Sequence, residues 1–103
     1  MKPLLTTLFI ACSSIFLLAQ SGGVSGKVTG SDGAPLAFAS IFVKETGSGT
    51  TTNEEGQYEI RLPKGNYQLV FQFLGYKTVT KPVPVGNRMA LLNVTMQEQP
   101  LQL

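Results

Sequence analysis

The stretch "TTTNEEGQYEIRLPKGNYQLVFQF", Thr50 to Phe73, decides what kind of fold this chain adopts. Within it Tyr58, Ile60 and Leu62 alternate with Gln57, Glu59 and Arg61, and Tyr67, Leu69, Phe71 and Phe73 alternate with Gln68, Val70 and Gln72. A period of two puts successive side chains on opposite faces of a strand, so each run has one face to bury. "NEEG" (53–56) and "PKGN" (63–66) punctuate the runs. In such turns glycine supplies positive φ and proline presets φ.

The same period extends to both sides. Val24, Gly26 and Val28 oppose Ser25, Lys27 and Thr29; Ala39, Ile41 and Val43 form another inward set; Leu92, Val94 and Met96 alternate with Asn93 and Thr95. "GSDGAP" (30–35), "TGSG" (46–49), "LGY" (74–76) and "VGN" (85–87) separate the runs. Beyond Gln20 no segment carries a helical apolar stripe of useful length. Short strands spaced by roughly 8 to 12 residues predict a small all-β antiparallel sandwich. Tyr67, Leu69, Phe71 and Phe73 make the densest apolar face, which predicts a central strand with Ile41 and Ile60 as neighbours.

The start of the chain reads differently. Lys2 precedes an apolar run from Leu4 to Ala19, and "QSGG" follows. This is the pattern of a secretory signal peptide over residues 1–19, cut after Ala19. A membrane anchor is the rival, but the run is short for a span and lacks charge on its far side. Cys12, preceded by Ala11, sits either in a degenerate lipoprotein box or as a small apolar residue of the run; the continuing "SSIFLLA" favours the second. Cleavage then leaves no cysteine, hence no disulfide, thiol nucleophile or thiolate metal site. The remaining chain of about 84 residues buries on the order of 60% of its unfolded surface. Residues 20–97 are expected to form the domain and 98–103 to begin a linker.

Charge and composition exclude much chemistry. The chain has eight Lys and Arg, Lys2 among them, and six Asp and Glu, with no basic run. Binding to nucleic acid or to an anionic membrane thus has no electrostatic support. There is no histidine, so no Ser-His dyad and no His-based zinc site. No serine stands in a nucleophile-elbow setting, and the glycines do not form a phosphate loop. Asn93-Val94-Thr95 matches a glycosylation sequon but falls in a predicted strand, and is read as chance.

"NEEGQYEI" (53–60) poses the sharpest chemical question, because two carboxylates flank a turn glycine. A calcium loop needs alternating oxygen ligands and a later bidentate carboxylate, which Gln57 and Tyr58 do not provide. Glu54 and Glu55 are adjacent on an exposed turn, where nothing raises one pKa to make a general acid. The remaining reading is a hairpin turn joining "GTTT" to "QYEIRL", with the Asn53 side-chain oxygen accepting from a backbone N–H two residues on. No catalytic, metal-ligating or cofactor-binding residue is expected.

Taken in order, Gly26 and Val28, then Gly33, Pro35 and Leu36, then Ala39, Ile41 and Val43, then Thr52, Asn53, Gly56 and Tyr58, then Leu62, Pro63, Gly65 and Tyr67, and finally Gly75 and Tyr76 form a recognisable series. Over Val24 to Met96 the chain resembles the carboxypeptidase regulatory-like domain. That family usually has Asp where Asn53 stands. The resemblance implies a seven-stranded, prealbumin-like (transthyretin-like) Greek-key sandwich, often the N-terminal extension of TonB-dependent outer-membrane receptors. Gly33, Pro35, Asn53, Gly56, Pro63, Gly65, Gly75 and Tyr76 then serve as structural turn residues.

Phe38 and Phe42, taken to lie opposite Ala39, Ile41 and Val43, read either as a docking patch or as aromatics packed beneath an edge loop. By resemblance, the expected function is a non-catalytic, exported accessory domain in the periplasm, associated with the outer membrane. Its partner is a protein or a covalently continuous outer-membrane barrel, and the ending "TMQEQPLQL" is expected to lead into further domains. The alternative is a free-standing module for protein or carbohydrate, the carbohydrate having no support in the residues. An enzyme of the carboxypeptidase class finds no zinc ligands here.

Overall fold

The computed structural model describes residues 22–100. The expected signal peptide 1–19, its cut after Ala19 and Cys12 lie outside the described residues. Eight strands follow one another: β1 (Gly22–Gly30), β2 (Ser40–Val43), β3 (Gly49–Thr51), β4 (Gln57–Leu62), β5 (Gly65–Gln72), β6 (Val79–Val85), β7 (Met89–Leu91) and β8 (Val94–Met96). They form two four-stranded sheets. In one, β1 lies between β4 and β7 and also pairs with β8; in the other the order is β3-β2-β5-β6.

The inward residues of both sheets meet in one core. Ile41, Val43, Leu69 and Phe71 from the second sheet join Val24, Val28, Tyr58, Ile60 and Leu62 from the first, all at 7% exposure or less. The alternation of β4 is complete: Tyr58, Ile60 and Leu62 are buried while Gln57, Glu59 and Arg61 are exposed. As its pattern predicts, β5 is central, with Ile41 opposite Phe71 on β2 and Val79 opposite Phe71 on β6. The Phe71 ring meets Tyr58 of the other sheet edge-on, centroids 5.6 Å apart, an arrangement that matches ring edge to ring face.

Three expectations about connectivity are corrected. Seven strands were expected and eight are present: the last predicted strand, read from Leu92 to Met96, begins only at Val94 as β8, and a short strand that the pattern did not show, β7 at Met89–Leu91, precedes it, with Leu92 and Asn93 outside both. The sandwich is also not wholly antiparallel, since β1 pairs in parallel with both β7 and β8. The division lies over Gly26, where a Cβ would overlap the carbonyl oxygen of Leu92. Only a residue without a side chain lets the C-terminal segment cross so close. The crossing leaves β1 short of ladder partners there, and side chains supply them: Lys27 N–H donates to Asn93 Oδ1 at 2.9 Å. Tyr58 Oη donates to the Leu92 carbonyl at 2.6 Å.

The third correction concerns "NEEG". It does not close a hairpin, for β3 pairs with β2 and β4 pairs with β1. The turn carries the chain from one sheet to the other. "PKGN" does the same between β4 and β5, and there Tyr67 Oη donates to the Pro63 carbonyl at 2.7 Å, bracing the corner. Alternation specifies which face is buried, and both hairpin arms and cross-sheet arms satisfy it equally.

The fully enclosed Phe71 gives a clear expectation for stability. F71A should lower unfolding free energy by about 3 to 5 kcal/mol in chemical denaturation, the range for emptying a buried aromatic site. E54A and E55A should each stay within about 0.5 kcal/mol of the parent, as exposed changes do. An F71A protein as stable as the parent would contradict the core assignment.

Candidate functional site

The side of the sandwich where β3 and β4 approach one another carries a groove lined by Phe38, Thr51, Thr52, Asn53, Gln57, Tyr58 and Glu59, with a volume of about 450 Å³. Its aromatic wall begins with an unusual backbone. Phe38 has φ of 62° and is the one non-glycine residue with positive φ among those described. For a bulky side chain this region is costly, on the order of 1 to 3 kcal/mol, and it persists only where neighbours impose it.

Thr52 imposes it. This side chain is buried at 1% exposure, the one polar residue in the core among those described. Its hydroxyl donates to the Leu36 carbonyl at 2.6 Å and accepts the Ala39 N–H at 2.9 Å. Its backbone N–H donates to the Ala39 carbonyl and its carbonyl accepts the Phe38 N–H, both at 3.0 Å. Leu36 is itself a core residue. The chain from Leu36 to Ala39 is therefore anchored on both sides of Phe38, whose ring is left 64% exposed.

Asn53 forms the polar wall. Its Oδ1 accepts N–H groups from Glu55 and Gln57, each at 2.9 Å, and its Nδ2 donates to Gln57 Oε1 at 3.2 Å. The expected bond to the residue two on is present, with a second that reaches the start of β4. With both lone pairs of Oδ1 engaged, this amide is a turn brace. Gly56, at φ of 78°, completes the turn; a Cβ there would approach the Val28 carbonyl oxygen to 2.6 Å. Glu54 and Glu55 stay exposed. Among the described residues no group of three or more His, Cys, Asp or Glu is arranged to hold a metal.

Tyr58 closes the far side. Its hydroxyl is committed to Leu92, and burial pushes its pKa well above the ordinary 10.0. The groove thus offers an aromatic ring, threonine and amide groups, and one carboxylate, Glu59.

The structure separates the two phenylalanines. Phe38 precedes β2 in a left-handed conformation, so the alternation used to place it opposite Ala39 does not apply. Phe42 is on β2, half-buried opposite Val70 and beside Gly49, away from the groove lining. The remaining turn residues lie elsewhere. Gly33 has φ of 87° in the turn where Asp32 Oδ1 accepts the Ala34 N–H, and Pro35 bridges to Thr29. Gly65 opens β5. Gly75, at φ of 88°, precedes Tyr76, whose N–H donates to the Phe73 carbonyl. The Tyr76 ring lies 5.4 Å from Phe73, and burial together with the Glu98 and Asp32 carboxylates raises its pKa. Glu98 pairs with Tyr76 and the Gln99 N–H donates to Gly75, so the chain is still bonded to the domain past residue 97.

Sequence reasoning missed two residues that build this region, Thr52 as an anchor and Asn93 as a strand-pairing substitute. A signal existed for the first. In "GTTT" the period of two places Thr52 inward, and a buried hydroxyl must find partners.

The family described as CarboxypepD_reg-like domain matches residues 24–103. TonB-dependent receptor P3 of Formosa agariphila is 38% identical over 93 residues, covering 89% of this chain and 9% of the receptor. Carboxypeptidase Z of Mus musculus is 36% identical over 72% of this chain and 11% of that protein. Among solved structures, the Bacillus anthracis TIE protein superimposes with a TM-score of 0.66 at 22% identity, over 77% of this chain and 17% of that one, a likeness of fold. The chain thus spans about a tenth of the length of the curated relatives it matches.

Two measurements test this geometry. F38G should raise stability by about 1 kcal/mol, since glycine occupies the left-handed region without the Cβ conflict; a fall in thermal midpoint would show that the ring contributes packing instead. Raised in the folded state, the Tyr58 pKa makes its stabilising contribution complete below pH 10.0 and progressively lost as pH climbs beyond it. Denaturation from pH 8 to 12 should show that decline, with Y58F declining less steeply; equal slopes would contradict it.

Proposed function

The chain belongs to the CarboxypepD_reg-like domain family, and from that premise we infer that it is a non-catalytic, exported interaction module, the N-terminal domain of an outer-membrane TonB-dependent receptor or a similar barrel protein. The observation that carries this reading is the likeness to receptor P3 across nearly the whole chain but a small fraction of the receptor. The groove supports it. Phe38 is held toward solvent at a cost in backbone strain, which is a common property of binding positions. Its surroundings contain braces, not a nucleophile with a base. The natural partner is a protein surface, in the parent polypeptide or in the outer membrane beside it, and the domain acts on the periplasmic side.

Expression in a Gram-negative host tests the reading. Intact mass should show loss of Met1 to Ala19 and an unmodified Gln20 or its cyclised form. A photo-crosslinking phenylalanine at position 38, in the full-length protein that carries this sequence, should give adducts in the outer-membrane fraction, and one at position 42 should give far fewer. Retention of the leader in the cytoplasm, lipidation at Cys12, or equal labelling from both positions would contradict the proposal.

A further inference from the structure

The sheet edges differ in how they are closed. On β6, Pro82 and Pro84 occupy alternate positions beside Lys81, which removes donors from that edge. β3 has only three residues, and the β7–β8 side is interrupted at Leu92 and Asn93. β4 is six residues long, regular and free of proline, and it ends its sheet.

Hydrogen-bond parity identifies what this edge presents. Val28 N–H donates to the Gly56 carbonyl at 2.8 Å. Continuing the β1–β4 register from that pair places Tyr58, Ile60 and Leu62 in hydrogen-bonded pairs with Gly26, Val24 and Gly22. Gln57, Glu59 and Arg61 therefore direct their backbone groups away from β1. Gln57 confirms the parity: its carbonyl accepts the Asn53 N–H and its N–H donates to Asn53 Oδ1. Glu59 and Arg61 are left with outward N–H and C=O groups, and their exposed side chains pair within the strand at 3.2 Å.

We propose that β4 is a self-complementary docking edge whose occupant is β4 of a second copy of this chain, paired antiparallel about a two-fold axis at Ile60. In that register Glu59 lies opposite Arg61 of the second copy, and Arg61 opposite its Glu59. Both rungs are hydrogen-bonded pairs, so the outward backbone groups of these residues are satisfied together with the charges. Tyr58 lies opposite Leu62 on the inner face. A slip of one residue misaligns donors and acceptors. A slip that moves the axis to residue 59 or 61 sets Glu59 against Glu59 or Arg61 against Arg61, which is unfavourable directly across strands. Charge and backbone parity thus select one register. This surface goes beyond the receptor reading and does not depend on it.

One short strand buries less than the roughly 800 Å² per partner of stable complexes, so the dimer is weak, with Kd between about 10 μM and 1 mM. Sedimentation equilibrium of the purified chain up to about 1 mM should show reversible dimers across that range. E59R and R61E should each weaken dimerisation by about 10-fold while circular dichroism stays unchanged, because each puts like charges on both rungs. An equimolar mixture of E59R and R61E should restore it, since every rung then pairs opposite charges. A parent chain that stays monomeric throughout, variants that dimerise like the parent, or a mixture no tighter than either variant would each overturn the proposal.

Discussion

The buried hydroxyl of Thr52 links the two halves of the molecule's chemistry. It lies among the apolar side chains of the core, where an unpaired polar group is costly, and it is satisfied by the Leu36 carbonyl and the Ala39 N–H. Those two partners flank Phe38. The same bonds that make a polar group tolerable inside the sandwich fix the loop that enters β2, and with it the exposed ring. Just beyond Thr52, Asn53 turns the chain from the second sheet to the first and caps the start of β4. The groove and the open β4 edge thus share one support.

The period of two made the inward faces of β2, β4 and β5 legible, because burial of one face is a local property of a strand. It did not reveal what each strand pairs with. Leu92, Val94 and Met96 read as one strand, yet the chain crosses Gly26 at Leu92 and resumes at Val94. That break is set by a close approach to a strand about 66 residues away, which no local pattern carries. The exposure of Phe38 was legible, but its backbone conformation was not, for a different reason. Alternation assumes extended backbone, and bonds from Thr52 hold this residue in the left-handed region. Asn53 was legible because its bonds are local. Thr52 was only partly so, since its face could be read and its partners could not.

The proposed interaction role rests on what the sandwich leaves outward. The Thr52 hydroxyl and the Asn53 amide near the groove are occupied with bracing the chain, and Tyr58, the one ionisable residue of the core among those described, donates to Leu92. What is left outward is an aromatic ring, an open strand edge and alternating charges. This accords with membership of a family of regulatory-like domains found as a small share of larger proteins.

Amide hydrogen exchange on T52V tests the central claim, that one buried hydroxyl holds the Phe38 loop in place. Valine keeps the shape of threonine but leaves Leu36 and Ala39 without their partner. T52V should fold, destabilised by about 2 to 3 kcal/mol, with the Ala39 amide losing protection while the Phe71 amide follows global stability. A T52V protein as stable as the parent, with Ala39 still protected, would contradict it.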